Sequence, residues 1–252
     1  MSKKGVVIYL HVHQPWRIRE YGVFDTGYKH DYFEAGDADA DRDNGRIFRK
    51  VAEKSYIPMN ALLEKMLNEQ PDFKVSMSIS GVFIEQAERY MPEVLESFKR
   101  IVATGQVELV AETFYHSLAF FYSREEFERQ VEMHRQKIRD VFGVETQVFR
   151  NTELSYNNEL GKWADQAGFK GIMTEGWDPI LQWRSPNFVY QPEGTENIRL
   201  LLKNYRLSDD IAFRFGNKAW VDYPLSADKY IEWLRSSLDQ TQIVNLFMDY
   251  ET

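Results

Sequence analysis

Two short stretches concentrate the groups able to do chemistry. Phe149-Arg150-Asn151-Thr152-Glu153-Leu154 and Phe247-Met248-Asp249-Tyr250-Glu251-Thr252 each place a carboxylate just after an apolar run. Val148 and Phe149 lead to Glu153, and Ile243-Val244-Asn245-Leu246-Phe247-Met248 leads to Asp249. Such runs read as buried strands, and in a parallel α/β barrel the catalytic side chains sit at the C-terminal strand ends. Two carboxylates on different strand ends suit glycosidic bond cleavage, in which one carboxyl group protonates the leaving oxygen and the other attacks or stabilises the sugar. A single strand-end carboxylate is more often a helix cap or an ion-pair partner, so it is the pair that carries the reading.

Three further groups surround this pair. In His11-Val12-His13, period two puts both imidazoles on one strand face with Tyr9. That placement fits contact with sugar hydroxyls, a structural role, or a metal site of the His-x-His kind. The chain has five histidines, His11, His13, His30, His116 and His134, and the fifth and sixth expected strands end without one, so a zinc set lacks ligands. Glu112 ends the third expected strand and His116 follows it. A buried carboxylate there needs a partner, for which His116 and Arg150 are available. Both residues read equally as substrate contacts or as structural support. Asn245 faces a barrel interior, which admits it only if it is hydrogen-bonded.

The elements that must position these groups alternate. Strands are expected at Gly5–Val12, Phe73–Ile79, Val107–Ala111, Thr146–Asn151, Gly171–Thr174, Ile198–Tyr205 and Ile243–Met248. Helices are expected at 47–68 with a break or restart at Pro58, at 82–89, at 92–104 with Gly105 just beyond, at 124–142 between a Ser123 cap and Gly143, at 158–167 and at 227–239. Residues 16–46 form a long polar loop whose acidic run, Asp37 to Asp43, lacks the glycine and terminal Glu of an EF-hand and reads as solvated. Seven strand-then-helix units with no domain-boundary signal, internal repeat or low-complexity linker imply a parallel (β/α)7 barrel, an incomplete relative of the TIM barrel.

Composition narrows the function classes. A net charge of −8 argues against nucleic acid, which requires a basic footprint. The chain has no cysteine, so disulfides and thiolate metal sites are excluded. Neither a signal peptide nor a membrane-spanning run is expected, and a cytoplasmic location is. The 17 Phe, 14 Tyr and 6 Trp exceed what catalysis needs and are mostly core, with a surplus available to stack on pyranose rings. Oligomeric state is not readable.

Taken in order, His13-Gln14-Pro15, Glu112 to Leu118, Phe149 to Leu154, Leu207-Ser208-Asp209-Asp210-Ile211-Ala212-Phe213 and Phe247 to Thr252 closely resemble the motifs of glycoside hydrolase family 57, especially its α-amylase branch. The resemblance runs the length of the chain. It implies a (β/α)7 barrel and a retaining mechanism on α-1,4-glucans such as starch, glycogen or maltooligosaccharides, with no metal or other cofactor. Glu153 matches the nucleophile position and Asp249 the general acid/base. His11 and His13 match residues lining the subsite of the cleaved sugar, His116 the polar residue of the second motif, and Asp209 lies in the sixth-strand motif. Trp16 and Trp177 are the expected stacking platforms. Glu153 must be ionised and Asp249 protonated, with the charge of Glu153 expected to raise the Asp249 pKa. Family members continue past Asp249 with a helix, an aromatic motif and a helical region, so residues 1–252 are expected to be a barrel truncated after strand seven. The alternatives are a 4-α-glucanotransferase or branching enzyme on the same carboxylates, a metal-dependent deacetylase or amidohydrolase built on His11 and His13, and a silent glucan-binding fragment.

Overall fold

A computed structural model of the protein describes residues 4–27, 31–33 and 41–251. Among them run seven strands: β1 (Gly5–Val12), β2 (Val75–Ile79), β3 (Val107–Leu109), β4 (Val148–Arg150), β5 (Gly171–Thr174), β6 (Arg199–Leu202) and β7 (Ile243–Asp249). They form two parallel sheets, β3-β2-β1-β7 and β4-β5-β6. Two seams join the sheets into a ring. At the first, a single bridge pairs Ala111 with Phe149; the Ala111 amide donates to the Val148 carbonyl and the Arg150 amide to the Ala111 carbonyl, both at 2.8 Å. At the second, the Asn204 amide donates to the Asn245 carbonyl (2.8 Å), and Asn245 Nδ2 donates to the Leu202 carbonyl (2.9 Å). The fold is the expected (β/α)7 barrel, with two thin seams. Asn245 is fully buried because its side chain closes one of them.

The barrel interior is solid. Tyr9, Val110, Met173 and Phe247 are buried together, with Val7, Val148, Leu154 and Leu201 packed around them. Tyr9 meets Phe247 edge to face at 5.4 Å. Period two then carries the next inward positions, His11 above Tyr9 and Asp249 above Phe247, to the C-terminal mouth. Three outer cores fasten the helices, one around Phe48, Tyr56, Phe83 and Phe98, a second around Phe127, Phe149, Leu160 and Phe169, and a smaller one of Leu207, Val244 and Leu246 under Tyr230, Trp233 and Leu234.

The helices are α1 (Asn44–Val51), α2 (Ile57–Glu69), α3 (Gly81–Tyr90), α4 (Pro92–Ala103), α5 (Arg124–Phe142), α6 (Asn158–Gln166), α7 (Asp178–Leu181), α8 (Tyr205–Asp209) and α9 (Ala227–Leu238). Among the elements, the first helix and the sixth strand differ from expectation for local reasons. The first begins at Asn44 because Asp43, the last of the acidic run, caps it by accepting the Arg46 amide at 2.9 Å; Asp37 to Ala40 lie outside the described residues. Pro58 marks the expected restart rather than a break, since a π-helical turn at Ala52–Tyr56 joins α1 to α2 and leaves Pro58 in the first turn of α2. The sixth strand stops at Leu202 rather than Tyr205, because Asn204 caps α8 by accepting the Leu207 amide at 3.1 Å. No helix among the described residues is long and apolar enough to cross a membrane.

Candidate active site

Glu153 and Asp249 line the same two cavities at the barrel mouth, of about 220 and 270 Å³. Both side chains are largely exposed, at 75 and 68%. Beneath them lies a buried polar bed. Glu112 is fully buried, and His11 and Arg150 are each 5% exposed. The bed joins the two mouth carboxylates through one chain of contacts. His116 Nε2 lies 3.2 Å from Glu153 Oε1 and His116 Nδ1 3.2 Å from Glu112 Oε2. His11 Nε2 lies 3.4 Å from the same Glu112 oxygen, and His11 Nδ1 3.5 Å from Asp249 Oδ1. Arg150 Nη1 reaches His116 Nδ1 (3.2 Å), His11 Nε2 (3.4 Å) and Glu112 Oε2 (3.5 Å).

One assignment of hydrogens serves five of these seven contacts, leaving His116 Nδ1 and Glu112 Oε2 as two acceptors and Arg150 Nη1 and His11 Nε2 as two donors. Arg150 donates to His116 Nδ1 and to Glu112, and His116 donates from Nε2 to Glu153. His11, when protonated, donates from Nε2 to Glu112 and from Nδ1 to Asp249. The electrostatics agree. Burial would push Glu112 upward, but His11 foremost, with Arg150, outweighs it and holds the carboxyl well below the usual range. Burial likewise opposes charge on His11, yet Glu112 and Asp249 together raise its pKa. The hydrogen bond from His11 lowers the Asp249 pKa. This reverses the expected upward shift, because His11 sits against Asp249 and Glu153 is held by His116. His13 is driven down to about 3 by burial and by the neighbouring His116 and His11, so it is neutral. Its Nδ1 is 2.8 Å from Ser80 Oγ, and its ring lies 4.3 Å from that of His116.

The backbone at the Glu153 side is strained. His116 (φ 53°), Glu153 (φ 56°) and Leu154 (φ 54°) are left-handed, a conformation costing a non-glycine residue roughly 1–2 kcal/mol. Strain of this kind persists only where surroundings fix it. Here Thr152 Oγ1 donates to the Ser117 carbonyl (2.8 Å) and lies 3.1 Å from Thr113 Oγ1, tying the two turns together. The Leu154 carbonyl accepts from Thr174 Oγ1 (2.8 Å) and from the Glu175 amide (3.2 Å).

The other expected site residues fall at different distances from this centre. Trp177, 60% exposed, lines one groove with Glu153 and another with Asp209. Asp209 connects to the mouth through Lys203, whose Nζ lies 3.6 Å from Asp209 Oδ1 and 3.9 Å from Glu175 Oε2. Trp16 is placed elsewhere. It packs on Phe33 (5.2 Å) and Tyr90 (6.0 Å) against α3, and it lines neither cavity shared by Glu153 and Asp249. Sequence reasoning missed Glu175 and Lys203, which line the smaller cavity. Each is the first residue past a strand, β5 and β6, so the rule that singled out Glu153 reaches them too. Gly176 belongs to the same construction, since a Cβ there would lie 2.2 Å from the Lys203 carbonyl oxygen. Glu251, whose Oε1 accepts from Gln14 Nε2 at 3.3 Å, is raised in pKa by burial.

For a metal, the donors that converge among the described residues are His11, Glu112 and His116, whose ligand atoms all lie within 4.8 Å of one another. The alternative built on His11 and His13 is thereby redrawn, since His13 turns its Nδ1 to Ser80.

A parallel barrel carrying two acids at strand ends over a buried His–Glu–His–Arg bed defines the class of protein. The sequence profile of glycosyl hydrolase family 57 matches residues 7–252, and the chain belongs to that family. A protein of Methanocaldococcus jannaschii whose name refers to alpha-amylase is 52% identical over 211 residues, 83% of this chain and 44% of that protein. The chain thus spans less than half the length of that relative. Among solved structures, the 4-alpha-glucanotransferase of Thermococcus litoralis superposes with a TM-score of 0.70 at 22% identity, covering 99% of this chain and 34% of that one. The family 57 branching enzyme of Pyrococcus horikoshii does so at 0.65 and 16%, covering 98% and 63%. These structural likenesses concern the fold.

Proposed function

We propose that residues 1–252 form the catalytic barrel of a retaining enzyme that cleaves α-1,4-glucosidic bonds in starch, glycogen or maltooligosaccharides. The observation that supports this most is that Glu153 and Asp249 line the same mouth cavities and are each backed by a histidine of the buried bed. In this reading Glu153, oriented by His116, attacks the anomeric carbon. Asp249 protonates the departing oxygen and then takes a proton from water.

In the free barrel that proton rests on the His11 side of the His11–Asp249 pair, since His11 is raised and Asp249 lowered. A sugar covering the mouth strips water from the exposed Asp249 carboxylate and raises its proton affinity. The proton then passes from His11 Nδ1 to Asp249 Oδ1, 3.5 Å away, and on to the leaving oxygen. Glu112 and Arg150 hold both histidines in place. Trp177 offers a stacking face beside Glu153, and His13 a neutral hydrogen-bonding group for sugar hydroxyls.

Transfer in place of hydrolysis is the second reading, supported by a sequence likeness of 26% over 153 residues to the 4-alpha-glucanotransferase of Thermococcus litoralis. It uses the same two carboxylates, with a sugar hydroxyl as acceptor. Chromatography of products from maltoheptaose tests both. Shorter sugars alone mean hydrolysis, longer sugars as well mean transfer, and an unchanged substrate with folded protein contradicts the proposal.

A further inference from the structure

The polar bed under the mouth has the donor composition of a metal site, and a protein cation stands in it. His11 Nε2 and Glu112 Oε2 are 3.4 Å apart, and His116 Nδ1 and Glu112 Oε2 are 3.2 Å apart. Tetrahedral zinc with bonds of about 2.1 Å needs ligand atoms about 3.4 Å apart, so two of the three edges are already set. Arg150 Nη1 contacts all three of these atoms, at 3.2 to 3.5 Å. One nitrogen of the guanidinium therefore stands at the fourth corner of such a tetrahedron, where the open coordination position of an ion held by the three atoms would lie. The fit is incomplete on both sides. Glu112 Oε1 and Arg150 Nε are buried with no hydrogen-bond partner, whereas buried polar atoms normally have one. The carboxylate thus keeps coordinating capacity that the guanidinium does not use.

We propose that the Arg150 guanidinium is a resident cation that closes the open face of a His11–Glu112–His116 triad against a divalent ion, and that shortening this side chain converts the triad into a transition-metal site. Two imidazoles and a carboxylate suit zinc or cobalt, and three protein ligands leave a fourth position for water. In the native chain the guanidinium blocks the position and repels a second cation.

The test is Co2+ binding by equilibrium dialysis and visible absorption, without any glucan, so the outcome is independent of the hydrolase reading. Arg150→Ala and Arg150→Met should each bind about one Co2+ per chain with the intense visible bands of tetrahedral coordination. Their affinity should exceed that of the native chain by about tenfold or more, and adding Glu112→Gln should remove the gain. The proposal is overturned if the native chain binds Co2+ as tightly as the variants, or if folded variants bind no better than the native chain. Failure of both variants to fold even with Co2+ present also counts against it, because the ion should replace the missing charge.

Discussion

Asp249 and Glu153 reach the same mouth by different means. Asp249 ends a seven-residue strand paired with β1 at every position, from Gly5 opposite Ile243 to His11 opposite Asp249. Glu153 follows a three-residue strand and sits on a left-handed turn. A continuous ladder fixes the first acid; a strained turn, stapled to its neighbour by Thr113, Thr152 and Ser117, fixes the second. The histidine behind each acid follows the same division. His11 is set by strand register, and His116 by its own left-handed turn. The lesson is that one mouth carboxylate can be placed by regular pairing and the other by stored strain, with a buried Glu112 linking the two.

The largest break in this comparison comes from removing the charge at the strained acid. Glu153→Gln should lower turnover by about 10⁴-fold or more while leaving the melting curve and maltooligosaccharide binding near native values. Native-like rates would remove Glu153 from the nucleophile role. On the ladder side, Asn245→Ala leaves the Leu202 carbonyl at the β6–β7 seam without its donor. Loss of a buried hydrogen bond should cost about 1–3 kcal/mol, read by urea denaturation.

A smaller effect sharpens the electrostatic contrast between the two acids. His11→Ala removes the hydrogen bond that chiefly depresses Asp249, so the Asp249 pKa should rise toward the ordinary carboxylate value in a 13C NMR titration. The linkage has a definite sign. The depressed Asp249 contributes stability above its unfolded pKa that is lost as pH falls through the folded one, and the variant should lose less on the acid side. The raised His11 contributes stability below the ordinary histidine value of 6.5 that is lost as pH rises through its folded value, and this alkaline loss should vanish in the variant. The smallest effect concerns strain away from the acids. Gln182, just past α7, has φ 56° and ψ −113° and is exposed. Gln182→Gly should stabilise the fold by up to about 1 kcal/mol in thermal melts, and a loss of stability would show that the conformation there costs nothing.

The ladder side was legible in the sequence, because period two and an apolar run locate Tyr9, His11, Phe247 and Asp249 on one face without any knowledge of turns. Glu112 and Arg150 were also legible as partners, because a buried carboxylate demands a cation. The turn side was not. Left-handed φ at His116 and Glu153 is imposed by hydrogen bonds between segments far apart in the chain, and neither residue type announces it. Trp16 misled for a similar reason: it lies in a long polar loop, where no periodicity says which neighbours, here Phe33 and Tyr90, will claim an aromatic ring. The end of β6 was overrun because Asn204 acts as a helix cap inside what reads as an extended run.

The central claim is that the strained acid attacks and the laddered acid protonates. Trapping with a fluorinated maltosyl fluoride, followed by peptide mass spectrometry, tests it most directly. A glycosyl adduct on the peptide at Glu153 is the predicted result. An adduct on Asp249 or Glu251, or release of anomerically inverted product with no adduct, would contradict it.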